Sequence, residues 1–200
     1  MYAAQANHEV PEGDSGGLRE SLLSAAVAVV EGARTSEVSI EEIAAAAGVG
    51  VDAASALYPS VDELLIGAAL RMCAEDLRLA EIEVPTVSAY ARHFAGRRAF
   101  YRAMRVGPVA QKLDARMAEL MAPLISLQIG TLVGAHMSEE AIRALTVEVT
   151  AEAFEITNGW IVKSDDDAPV ESLYLELEAI VVRRFDTVRD LQRDARPLED

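Results

Sequence analysis

Between Ser39 and Leu65 the chain reads SIEEIAAAAGVGVDAASALYPSVDELL, and its start and stop signals divide it into three helical pieces joined by tight turns. Ser39 and Glu42 form a capping box: the serine oxygen can accept the backbone N–H three residues on, while the glutamate reaches back to the serine N–H. Ile40, Ile43, Ala44 and Ala47 then recur at helical spacing, and Gly48 stands where a residue without Cβ can carry the chain through positive φ. After Gly48–Gly50, Val51 to Leu57 makes about two turns of helix at 1.5 Å per residue. Pro59 ends it, and Ser60 with Glu63 offers a second capping box. The prediction is a helix, a tight turn, a second short helix and the start of a third.

This arrangement resembles the DNA-binding end of the TetR/AcrR family of ligand-controlled transcriptional regulators. The residues that carry the likeness are Leu22, Leu23, Ala26 and Val29 in an apolar first helix, and Ser39, Ile43, Ala44, Ala47, Gly48 and Val49 in the second. Tyr58 closes the short third helix, and Pro59, Ser60, Glu63, Leu64 and Leu65 open the fourth, so the likeness covers residues 18–70. It implies an all-α fold with a three-helix helix-turn-helix domain over 18–65 and a helical ligand-binding and dimerisation domain over 66–200, which a disordered acidic tail over 1–17, read from the residues themselves, would precede. It also implies a homodimer that binds operator DNA, acts as a repressor and responds to a small-molecule effector. Arg19, Ser39, Gly50, Val51, Asp52, Ser55 and Tyr58 fall at the positions that would face DNA.

Charge runs against that expectation. Gly50, Val51 and Asp52 stand where the family usually begins its reading helix with a small polar residue and often a cation. Ser55 and Leu57 replace the usual tyrosine and histidine, and Val61 replaces a common lysine. From Leu18 to Leu70 the cations are Arg19 and Arg34, against eight carboxylates. Duplex affinity comes from Lys and Arg releasing phosphate counterions, each contact adding about −0.9 to the salt slope, so this segment has little to offer. The alternative is a TetR-type dimer without DNA, acting through a protein partner or a small molecule.

The whole chain of 200 residues carries a net charge of −15, which disfavours membrane surfaces and bulk nucleic-acid coating. Cys73 is its only cysteine, so no internal disulfide is possible, as suits a reducing cytoplasm. Met1 to Gly17 lacks both a cationic start and an apolar run, and reads as an acidic tail rather than a signal peptide or membrane span. His8 within it is expected to be solvated.

Every long segment after the head is helical in period. Helices are expected over 18–32 and 62–82, with Pro85 as a boundary, and then over 86–95, 97–106, 108–135, 138–163 and 169–193. Pro123 should kink the third of the last five. The two final helices carry apolar stripes on more than one face, which calls either for a second copy packed isologously or for a thick monomer core. Val149, Phe154, Ile156, Trp160, Leu177, Val181, Phe185 and Val188 are the expected dimer contacts. Tyr90, Phe94, Phe100, Tyr101, Met104, Met117, Met121 and Gln128 are the candidate pocket, methionines and aromatics being adaptable liners as well as ordinary core.

From Arg92 to Arg116 seven cations face Asp114 alone. This basic run is either a solvated face paired with the acidic head, or a receptor for an anionic ligand such as an acyl-CoA-like molecule or for an acidic partner. Signatures of catalysis are lacking: the sequence has no Gly-rich phosphate loop, no G-x-S-x-G and no H-E-x-x-H. His93 and His136 stand apart from any metal-ligand spacing, and Asp165–Asp167 lack the glycine and distal glutamate of a calcium loop. No enzyme activity, metal or cofactor is expected.

Overall fold

The computed structural model describes residues 12–78, 87–133, 137–165 and 167–194, with side chains at 15–77, 87–132, 137–165, 167–184 and 186. Among them lie nine α-helices and no strand: α1 (Glu12–Ala33), α2 (Ile40–Ala47), α3 (Val51–Leu57), α4 (Val61–Arg78), α5 (Val87–Gly96), α6 (Arg98–Val106), α7 (Ala110–Val133), α8 (Glu139–Lys163) and α9 (Val170–Asp194). The fold is all-α, as the helical periodicity predicts. No described helix is long and apolar enough to cross a membrane. Residues 1–11 with His8, 79–86 and His136 lie outside the described residues.

Local signals set the helix ends. Ser39 N–H donates to Glu42 Oε2 at 2.7 Å while Glu42 N–H donates to Ser39 Oγ at 3.2 Å, closing the capping box of α2. Gly48 ends that helix at φ 67°, and the next amide, Val49 N–H, reaches back to Ala44 O at 2.9 Å. Ser60 Oγ accepts the Glu63 N–H at 3.2 Å and Ser138 Oγ that of Ala141 at 3.2 Å, opening α4 and α8. One boundary differs from the sequence expectation. Glu12–Gly17, expected in the acidic tail, already belong to α1. Helix α7 runs continuously through Pro123.

Packing joins the two expected domains through α4. Leu64, Leu65, Ile66, Ala68, Ala69, Met72, Cys73 and Leu77 are buried along it. The helix packs on α1 and also on α5 and α7. A division at residue 65 therefore falls inside a single rod. Helix α1 also packs on α6, and the α6–α7 turn presses so closely on the α1–α2 loop that a Cβ at Gly107 would collide with the Ser36 side chain.

The basic run is divided: Arg92, Lys112 and Arg116 are exposed, whereas Arg98, Arg102 and Arg105 turn into the fold. Arg98 is buried, stacks 4.0 Å from the Trp160 ring and donates from Nη2 to Trp160 O at 3.1 Å. Arg102 donates from Nε to Ile161 O and from Nη2 to Ser164 O, both at 2.9 Å. Two arginines of α6 thus cap the last carbonyls of α8, where unpaired acceptors and the negative dipole end meet. Arg105 pairs with Asp114, Arg97 approaches Asp76 at 3.7 Å, and Arg116 pairs with Glu119 at 3.3 Å. Only Lys112, 2.6 Å from Asp62, joins the run to a carboxylate of the 18–65 segment.

Replacing Arg102 by Met keeps the stem and removes both bonds. It should lower the unfolding free energy by about 2 kcal/mol, as expected for hydrogen bonds from a charged donor, measured by urea titration against the parent chain.

Candidate functional site

The outer face of α3 presents Val51, Asp52, Ser55 and Ala56, all exposed, with Gly50 exposed just before them. Its inner face is held by the buried Ala54. None of the side chains on this helix is cationic, and Asp52 stands in its first turn. Ser39 is engaged as the cap of α2. Tyr58 is not a surface residue: it is 7% exposed and packed against Gly67, with the Arg19 guanidinium carbon 5.4 Å from its ring centroid. Of the seven residues expected to face DNA, Gly50, Val51, Asp52 and Ser55 thus share one open surface. Arg19 and Tyr58 form a stacked pair, the tyrosine being drawn into the core by its large apolar ring.

A cavity of about 90 Å³ lies between α4, α5, α7, α8 and α9. It is lined by Tyr90, Met121 and Gln128 from the expected pocket, together with Leu77, Leu124, Ile125, Ile129, Ala153, Ile180 and others the sequence did not single out. Phe94, Phe100, Tyr101, Met104 and Met117 do not reach it. They are fully buried core, because the tight α5–α6 pair turns its aromatic rings on one another, with the Phe94 and Tyr101 centroids 4.7 Å apart. The missed liners Ile125 and Ile129 follow the expected Met121 at i, i+4 spacing along α7. The signal was in the sequence, but a stripe of that kind does not distinguish a cavity wall from filled core.

The expected dimer residues mostly face inward. Phe154, Trp160 and Leu177 are buried, Val149 and Ile156 pack against the core, and Val149, Leu177 and Val181 line the cavity. The Phe185 and Val188 side chains lie outside the described residues. Exposed on the same two helices are Val147, Val162, Leu175 and Val182. Periodicity locates the stripes, and only the packing shows which of them the chain itself consumes.

Three helices meet in a buried polar relay that the sequence did not announce. His93 Nδ1 lies 2.8 Å from Asp76 Oδ2 and its Nε2 2.7 Å from the Tyr101 hydroxyl. A carboxylate can only accept, so Nδ1–H donates to Asp76 and Nε2 accepts from Tyr101. Burial pulls the His93 pKa below its ordinary 6.5, against the opposing pull of Asp76, and burial raises that of Tyr101 well above 10.0. Both stay neutral near pH 7. Cys73 is equally inert: it is fully buried with its Sγ 3.9 Å from Met121 Sδ, and burial pushes its thiol up to about 12.

Scanned against protein-family models the chain matches none, and no curated protein matches it.

The relay makes stability depend on pH with a definite sign. The folded state holds His93 neutral while the unfolded chain titrates it near 6.5, so protons favour the unfolded state as the pH falls below that value. His93→Gln should be less stable than the parent at pH 7.5, and the deficit should shrink by pH 5.5, read from denaturant midpoints at the two pH values.

Proposed function

We propose that the chain is a ligand-responsive transcriptional regulator of the TetR type, working as a homodimer and repressing by occupying operator DNA. The observation that carries this reading is the run of α4 from the α2–α3 head, at Val61, to the cavity wall at Leu77. An occupant of the cavity touches the same rod that bears the head. Differential affinity for two settings of that rod is what ligand control requires. The capped α2, the left-handed Gly48 and the open face of α3 further support a head of helix-turn-helix form. No catalytic role enters this reading.

A second reading keeps the dimer and the ligand and gives up the DNA. It is favoured by the absence of any cation on α3 and by Asp52 at its start, where a phosphate would be repelled rather than bonded.

Fluorescence anisotropy with the duplex upstream of the coding region, at 50 and 200 mM salt, separates the two. The regulator should retain that duplex over an unrelated one and lose only about tenfold in affinity between the two salts, as about two phosphate contacts would. No retention at micromolar protein would remove the operator reading and leave the second.

The homodimer is assigned to α8 and α9, whose exposed Val147, Val162, Leu175 and Val182 offer the apolar contact. Val182→Glu buries a charge in that contact and should shift sedimentation from dimer to monomer at micromolar concentration, with the helical circular dichroism unchanged. A parent chain that sediments as a monomer would overturn the assignment.

A further inference from the structure

We infer that the cavity takes an uncharged, mainly hydrocarbon molecule with a single hydrogen-bonding group, such as an alcohol or a ketone, and that it rejects carboxylates and phosphates. This rests on the reading of the C-terminal helices as ligand-binding. It departs from what the basic run suggests in the sequence, an anionic ligand.

No lining residue is ionisable apart from Tyr90, and of the fourteen liners eleven are aliphatic and Met121 is a further apolar one. The arginines that could have met an anion are engaged elsewhere: Arg98 and Arg102 on the carbonyls of α8, Arg105 on Asp114. An anion entering the cavity would lose its hydration with no counter-charge to replace it, and such a group neutralises or stays out.

The polar residues of the wall are Tyr90 and Gln128. Thr157 Oγ1 lies 3.4 Å from the Tyr90 hydroxyl and donates its own proton to Ala153 O at 2.7 Å. The Tyr90 O–H is therefore directed at Thr157, which is not a residue of the wall. Burial raises the Tyr90 pKa above its ordinary value, so the wall carries no charge from it. Gln128, half-buried, adds one donor and one acceptor of its own. Apolar walls with one or two such groups fix the orientation of a small molecule while most of its affinity comes from burial. At about 90 Å³ the cavity is smaller than the apolar void of about 150 Å³ that holds a benzene molecule, so a slender chain fits it better than a ring.

Isothermal titration of the full chain with 1-hexanol and with hexanoate, matched in chain length, tests this directly. Hexanol should bind at least tenfold more tightly than hexanoate at pH 7.5. Ala153→Phe, which fills the cavity, should abolish hexanol binding. Gln128→Lys adds a cation at a half-buried position that tolerates it, and should reverse the preference in favour of hexanoate. Equal affinity for the two probes, no binding of either at millimolar concentration, or a Gln128→Lys chain that still prefers the alcohol would overturn the inference. The titration contains no DNA, so a chain that binds hexanol and ignores its upstream duplex keeps this inference and loses only the operator reading.

Discussion

Helix α4 must satisfy two sets of neighbours with one run of side chains, and the rest of the molecule is arranged around that requirement. Its first half packs Leu64, Leu65 and Ala68 into the same core as Leu22, Ala26 and Ile43, while Met72, Cys73 and Leu77 reach the core of the later helices. A helix buried on several sides cannot slide along one neighbour without disturbing another, because close-packed interiors change between discrete arrangements rather than deforming smoothly. Three ion pairs brace the rod among the described residues: Arg71 joins it to Glu20 on α1, Lys112 on α7 joins it to Asp62, and Arg97 before α6 joins it to Asp76. Exposed pairs of this sort contribute little energy. The apolar burial holds the rod, and the charges help fix its register.

The same constraint explains why an acidic protein concentrates its cations in one segment. Helix α8 ends where α6 crosses it, so its final carbonyls would be left in a crowded place with limited access to water. Unpaired buried acceptors are costly, and the planar guanidinium of arginine can span two carbonyls where an ammonium would reach as a point. Arg98 adds its stack on Trp160, whose indole Nε1–H donates to Ser172 Oγ at 2.9 Å and ties down the turn into α9. What reads along the sequence as a positive patch is in three dimensions a clamp that joins α6, the end of α8 and the start of α9. Read as local charge density it suggested a partner. Its function in the fold was invisible because the acceptors are backbone carbonyls about 60 residues away, and carbonyls leave no mark in the composition.

Legibility follows the range of the interaction. The ends of α2, α3 and α8 were readable because a cap involves residues three or four apart, as in Ser39 with Glu42, and no distant part of the chain competes for those groups. Helical periods were readable for the same reason. The inward or outward sense of each stripe was not. Val149 and Val147 stand two residues apart on α8, one on the cavity wall and the other exposed, and only the placement of α7 and α9 decides between them. The relay of Asp76, His93 and Tyr101 was hidden because its three members come from three helices and no motif unites them. His93, which the sequence marks only as standing apart from any metal-ligand spacing, sits fully inside and joins two partners.

That relay also bears on how an event in the cavity would be felt elsewhere. Leu77, on the cavity wall, directly follows Asp76, and Tyr90, on the same wall, stands one helical turn before His93 and stacks on Phe94 at 4.7 Å between centroids. Both ends of the Asp76–His93 bond are therefore within one turn of any occupant. A part-buried hydrogen bond of 2.8 Å, its histidine fully enclosed, tolerates little lengthening before the imidazole N–H has lost its water without a partner in return. If α4 moves relative to α5, the bond breaks or carries α5 along, so a small displacement at the wall becomes a choice between two arrangements rather than a graded strain. His93 and Tyr101 enter the joint as neutral groups, while the Asp76 carboxylate stays partly exposed with Arg97 at 3.7 Å, so the movement strands no unpaired charge inside.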